Sequence, residues 1–274
     1  MDEMPLSDKS DVDVLTSVLS AMTVRHQDHS TNNLVTIQRP ATTLKEILEK
    51  IRANQDEICE LDLEDMAAKK RLLRSSGGDL VARVFQLNYT VKRLLLPGHE
   101  IGDAGAMSMG NMLRANATLQ HLDLKENQIT VKGAHALSDS LYGHEALEHL
   151  GLSSNQVGNE GAKAVAKVLP CNSSLKSIDL ANNGIGEEGG SALLDAVVQN
   201  RSLVRMRLVN NDIPQDILDK IRAALVVNKL MQKKAARDET KDRQTDQKEG
   251  ESVESQRDQE IGSSSDSEEE SLWI

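Results

Sequence analysis

Two histidines 28 positions apart, His121 and His149, with Asp123 close behind the first, come nearest to a metal-binding pattern in this sequence. Imidazole and carboxylate groups suit a divalent transition metal, but a stable site needs three or four of them converging. Two imidazoles and one carboxylate fall short of that. They read as part of a polar binding surface, and neither a metal nor a cofactor is expected. Cys59 and Cys171 are too few for a disulfide framework or a thiolate zinc site. No nucleophile motif, phosphate-binding glycine loop or spaced His/Cys cluster occurs, so no catalytic residue is assigned and the chain reads as non-enzymatic, with no small-molecule substrate.

Composition removes other classes. The net charge is −11, and Phe85, Tyr89, Tyr142 and Trp273 are the only aromatic residues. A basic groove lined with stacking side chains is therefore absent, and no nucleic-acid partner is expected. No apolar run approaches the ~20 residues of a membrane helix, so no membrane partner is expected. The opening Met1-Asp2-Glu3-Met4-Pro5 lacks the basic start of a secretory leader. The expectation is a soluble, cytoplasmic chain.

The elements that must position these side chains follow from a 28-residue period, whose units begin at Val91, Leu119, Leu147, Leu175 and Leu203. The fourth position holds Leu94, Leu122, Leu150, Ile178 and Met206; the sixth holds Leu96, Leu124, Leu152, Leu180 and Leu208. That alternation marks a short strand with one buried face. A glycine then recurs at Gly105, Gly133, Gly161 and Gly189, followed by apolar or small residues at helical spacing, as in Ala162, Val165, Ala166 and Leu169. Strands joined through a helix run parallel. Asn127, Asn155, Asn183 and Asn211 form a ladder at the ninth position, with His99 in the first unit, where the chain turns inward and a carboxamide can pair buried backbone groups. A second set, Asn116, Asn172, Asn200 and Asn228 with His144 in one unit, lies just past each helix and suggests left-handed C-caps. The sequons at Asn88, Asn116, Asn172 and Asn200 follow from this repeat rather than from glycosylation.

The pattern Leu-x-x-Leu-x-Leu-x-x-Asn-x-Ile followed by a helix resembles the leucine-rich repeat, in its ribonuclease-inhibitor type, shared with Ran GTPase-activating proteins, NOD-like receptors and tropomodulins. The resemblance spans residues 58 to about 228. It implies an α/β solenoid, curved, with parallel strands on the concave face and helices on the convex face. It also implies two alternatives to a binding scaffold. One is regulation of a small GTPase, as in Ran GTPase-activating proteins. The other is a tropomodulin-like actin or ciliary component, from the likeness of Leu48 to Asn54 and Leu61 to Leu63 to the opening of the tropomodulin repeat domain; that alternative carries association with the cytoskeleton or a cilium.

Three regions are expected. Residues 1–40 read as mostly disordered, with an amphipathic helix from Val14 to Met22 as one reading. Residues 41–232 form the solenoid, with a capping helix over 43–54 and repeats from about 58, 91, 119, 147, 175 and 203. The first of these units runs from Ile58 to Val91, five residues longer than the rest, and holds a basic stretch with Lys69, Lys70, Arg71 and Arg74. Residues 233–274 read as an acidic disordered tail. There Ser263, Ser265 and Ser267 precede acids at the spacing of acidophilic kinase sites, and Leu272-Trp273-Ile274 resembles a docking motif. Function is expected on the concave face, where strand side chains point away from the core. The candidate partner-binding residues are Arg93, Leu95, His121, Asp123, Lys125, His149, Ser153, Asp179, Arg205 and Arg207. The partner expected there is another protein.

Overall fold

The computed structural model describes residues 23–27, 34–37, 51, 60–64 and 72–262. The chain divides into two compact units after Asn228. The first unit is a stack of strand-and-helix coils: β3 (Glu60–Asp62), α1 (Arg74–Phe85), β4 (Arg93–Leu95), α2 (Gly102–Ala115), β5 (His121–Asp123), α3 (Val131–Leu141), β6 (His149–Gly151), α4 (Gly158–Val168), β7 (Ser177–Asp179), α5 (Glu187–Gln199), β8 (Arg205–Arg207) and the beginning of α6 (Gln215–Gly262), whose residues from Lys229 onward belong to the second unit. Strands β3 to β8 are parallel and lie side by side in chain order.

Register shows why the repeat folds this way. Leu61, Leu94, Leu122, Leu150, Ile178 and Met206 stand opposite one another across the sheet, and all but the half-buried Met206 are sealed in the core. Leu122 and Leu124 are fully buried, while Asp123 between them faces outward and is half-exposed. The helices begin about three residues earlier than the glycine signal suggests. That glycine sits inside the first helical turn, pressed on the aliphatic residue four positions back. A Cβ at Gly133 would come 2.6 Å from Ile129 Cγ2, and at Gly189 2.7 Å from Ile185 Cγ2, so a larger residue would force the packed isoleucine to shift.

The ninth-position asparagines bind each coil to the one before it. Asn155 Oδ1 accepts the N–H groups of Asn127 (3.0 Å) and Ile129 (2.9 Å), while its Nδ2 donates to the Leu124 (3.0 Å), Leu152 (2.9 Å) and Ser153 (3.2 Å) carbonyls. Asn127 does the same for His99, Ile101 and Leu96, and Asn211 for Asn183, Ile185 and Leu180. His99 fills the first rung with Nε2 at 2.9 Å from the Leu63 carbonyl. The two residues are 36 apart, where Asn127 and Leu96 are 31 apart; the difference is the five-residue insertion.

The second asparagine set differs from its sequence expectation. Asn116, Asn172 and Asn200 are extended, with φ of −91°, −98° and −76°, not left-handed. Their geometry serves hydrogen bonding instead. Asn200 Nδ2 donates to the Leu169 (2.6 Å) and Asn172 (2.9 Å) carbonyls, and its Oδ1 accepts from Ser202 and Leu203. His144 reproduces this in its unit, with Nε2 on the Asn116 carbonyl (3.0 Å) and Nδ1 accepting from Leu147 N–H (3.1 Å). Helix capping also crosses between coils. Asp103 accepts from Thr130 N–H (2.8 Å), Thr130 Oγ1 (2.6 Å) and Gly133 N–H (2.9 Å) at the start of α3, and Asn159 accepts from Gly186 and Gly189 at the start of α5.

Two strands within residues 1–40, β1 (Thr23–Gln27) and β2 (Leu34–Ile37), form an antiparallel pair that extends the sheet past β3, so its order is β2-β1-β3 and on to β8. The proposed helix from Val14, and all of the capping helix over 43–54 except Ile51, lie outside the described residues. Ile51 is helical and buried, and its carbonyl accepts from Asn88 Nδ2 (2.7 Å). At the other end Ile217, Ile221 and Leu225 continue the core. Helix α6 runs on to Gly262 through a segment rich in helix-favouring Glu, Lys, Arg, Gln and Ala and free of proline.

Two stability predictions follow from this hydrogen bonding. Asn155→Ala strands donors and acceptors in two coils at once and should cost about 2–4 kcal/mol, read as a lower urea midpoint; a loss below ~0.5 kcal/mol would remove the ladder from its structural role. Asp103→Ala should cost about 1 kcal/mol as a lost helix cap. Partial burial opposes ionisation of Asp103, but the hydrogen bonds from Thr130 and Gly133 and the charge of Lys132 prevail and hold its carboxyl below the ordinary 3.8. Its contribution is therefore present above that value and lost as pH falls below it, so wild type and variant should converge in acid.

Candidate functional site

Strands three residues long leave little freedom in where their side chains stand. On the open face of the sheet the register aligns two rows. The first reads Glu60, Arg93, His121, His149, Ser177, Arg205; the second reads Asp62, Leu95, Asp123, Gly151, Asp179, Arg207. Adjacent members of a row are ~4.8 Å apart, and the rows are separated by two residues, or ~7 Å. Together they line a groove of about 670 Å³ running from Arg93 to Arg207.

Of the expected surface residues, the groove gathers Arg93, His121, Asp123, Lys125, His149, Ser153, Asp179, Arg205 and Arg207. Leu95 stands in the second row but does not line it. Ser153 is nearly covered, at 6% exposure, because its segment already bends inward toward Asn155. Gly151, Ser154, Ser177 and Asn182 also line the groove, and Glu60, outside it, anchors its end. The register that sends Leu61 and Leu63 inward was enough to assign Glu60 to the first row. What it could not show is that Glu60 is buried to 1% beneath Arg93.

The two rows differ in electrostatics. Arg93 Nε stands 3.0 Å from Glu60 Oε2, a close ion pair without a hydrogen bond's alignment. The same guanidinium lies 3.4 Å from His121 Nδ1. Because arginine only donates, that nitrogen is the acceptor and the neutral ring carries its proton on Nε2. The imidazoles of His121 and His149 are 5.1 Å apart and tilted by 40°. Burial, then the charges of Arg93 and His149, push His121 down to about 4. Burial also lowers His149, aided by Arg205 and Arg93 and opposed by Glu148. Both rings are thus neutral at pH 7. In the second row, burial raises the Asp123 carboxyl above the ordinary carboxylate range, against the Lys125 N–H bond and with the like charges of Asp179 and Asp62. Asp179 meets Arg207 Nη1 at 3.3 Å, an exposed pair of small energetic weight. Lys125 turns to Glu126 (3.0 Å) rather than to Asp123.

Gly151 breaks the second row. A Cβ there would come 2.5 Å from Asp123 Oδ1, so the missing side chain gives that carboxylate its room. Among the described residues no group of three or more His, Cys, Asp or Glu could hold a metal ion, and no helix is long and apolar enough to cross a membrane. Ser263, Ser265, Ser267 and the terminal Leu-Trp-Ile lie outside the described residues.

Segments 115–138, 146–166 and 171–194 match the family model described as a leucine-rich repeat. No protein with a curated description matches the chain in sequence. Among solved structures, one titled leiomodin-1 actin-binding site 2 is similar at 17% identity and a TM-score of 0.49, covering 74% of this chain and 98% of that one. The tropomodulin C-terminal domain of Caenorhabditis elegans is similar at 12% identity and a TM-score of 0.47, covering 71% and 98%.

The histidine pair yields a pH prediction. With His121 titrating near 4 in the folded protein and near 6.5 when unfolded, the unfolded chain binds the extra proton between those values. Stability should fall as pH drops through that window, and His121→Gln should flatten the slope. Histidine ring NMR checks it directly: a His121 midpoint near 6.5 would contradict the geometry described for this row.

Proposed function

We propose that this chain, three segments of which match the leucine-rich repeat, acts as a non-catalytic scaffold whose concave face docks another protein. The observation that carries this reading is the groove from Arg93 to Arg207. Its lining includes His121, His149, Ser177, Arg205 and Arg207, which stand outside the core that closes behind them through the leucine columns, while Asp123 and Asp179 also pair the backbone N–H groups of Lys125 and Ala181. A surface of mixed charge, with exposed guanidiniums at one end and neutral imidazoles within it, suits a specific polar interface. Arg205 and Arg207, both exposed on the last strand, are the side chains expected to carry most affinity once a partner excludes water from them. Six strands give the face a breadth of roughly 25 Å, enough for one folded partner or a helix.

The test is partner capture from cells with the double variant Arg205→Glu and Arg207→Glu, set beside a chain ending at residue 232. Charge reversal at the groove should remove partners that the shortened chain keeps, by about tenfold or more in recovered material. Partners that survive the reversal and disappear with the tail would move the binding site off the concave face.

A further inference from the structure

Four consecutive members of the first row, His121, His149, Ser177 and Arg205, stand on adjacent strands β5 to β8. Arg93 occupies His121 Nδ1, which leaves the ring's Nε2–H pointing to no acceptor. Among the described residues no hydrogen bond engages the His149 ring, the Ser177 hydroxyl or the Arg205 guanidinium, and Arg205 forms no ion pair. The row is thus a line of unused donors about 14 Å long, with strand spacing setting the intervals. Between Arg93 and Arg205 it contains no carboxylate. The nearest acids in the groove, Asp123 and Asp179, belong to the second row; Glu148 adjoins His149 in the chain and is exposed.

We propose that an acidic segment of the partner protein crosses strands β5 to β8 along this row, its carboxylates accepting hydrogen bonds from His121, His149, Ser177 and Arg205. The assignment rests on the concave-face reading and gives that partner its chemistry. A carboxylate is the complement that uses every donor at once, and charge-assisted bonds to arginine are the strongest of the set. The second row sets the boundary: Asp123 and Asp179 repel an acidic segment that slides ~7 Å along the strands, which holds it in register on the first row. Burial first, and then the guanidiniums of Arg93 beside both rings and Arg205 beside His149, disfavour a charged imidazole in the free protein. A carboxylate bonded directly to each ring favours its charged form against both effects, so the rings should take up protons as the segment docks.

The experiment is a titration of the full chain, labelled at histidine, with acetylated hexaglutamate amide, acetylated hexalysine amide and sodium phosphate at matched ionic strength, followed through the imidazole NMR signals. Hexaglutamate should move the His121 and His149 rings saturably and raise their titration midpoints by about half a pH unit or more. Arg205→Gln, at an exposed site that folding does not require, should weaken this binding by about fivefold. Asp179→Asn should strengthen it, by about twofold. Hexalysine acting at lower concentration than hexaglutamate, phosphate alone giving the same shifts, or Arg205→Gln leaving the titration unchanged would each overturn the assignment. Rings unmoved by hexaglutamate, with partner capture still lost on Arg205 and Arg207 reversal, would reject the acidic seat and keep the concave face. Moved rings with capture intact would support the seat and reject the concave face as the site of the captured partner.

Discussion

Backbone groups buried at the bends of a coil must find hydrogen-bond partners inside the protein, and the architecture depends on how this requirement is met. In each coil the strand, three residues long, gives way to a turn whose N–H and C=O groups face inward. A carboxamide donates through its nitrogen and accepts through a separate oxygen, so one side chain can reach two coils at once, and the ninth position supplies one in four consecutive units. Its bonds reach the preceding coil as well as its own. Satisfying one turn therefore requires the neighbouring coil to be in place, and the stack becomes cooperative along its length. Asparagines beyond the helices repeat the arrangement on the far side, and the caps from Asp103 and Asn159 repeat it at the helix starts.

Because core and bends take up the positions the repeat holds constant, the outward strand positions are left free. Their spacing is set by the sheet, so side chains 28 residues apart in the chain become immediate neighbours. The groove is in this sense built in advance: its rows are rigid, and any partner meets fixed intervals of charge and donor capacity. Gly151 shows the same logic by subtraction, since a side chain there would collide with the Asp123 carboxylate.

The histidines show that residue type alone does not assign a role. His99 and His144 stand in the two ladders, each buried and each keeping a proton on Nε2 for a carbonyl of the preceding coil. His144 reproduces the donor–acceptor pair of a carboxamide, accepting on Nδ1 as well, whereas His99 keeps only the donor half, its buried Nδ1 meeting no hydrogen-bond partner; burial keeps both rings neutral. His121 and His149 occupy the open face, where their neutrality has another cause besides burial, the adjacent guanidiniums. Position within the 28-residue unit separates the two classes; only the packed neighbours explain their shared loss of charge.

The repeat was legible in the sequence because its constraints are local and periodic. Leucines at alternating positions, a glycine where helix meets aliphatic side chain and asparagines at the bends each encode a requirement met within a coil or between neighbours. From them follow the parallel strands, the buried columns and the membership of both rows. Tertiary structure alone decided the rest. The extended backbone of Asn116, Asn172 and Asn200, the cap that Asp103 offers to the next helix, and the burial of Glu60 under Arg93 all depend on atoms from a different coil. So does the antiparallel pair at the sheet's first edge, which breaks the period and leaves no trace in it. Periodicity specifies what each unit needs; which neighbour supplies it, and with what effect on charge, is set by distances that exist only once the units are stacked.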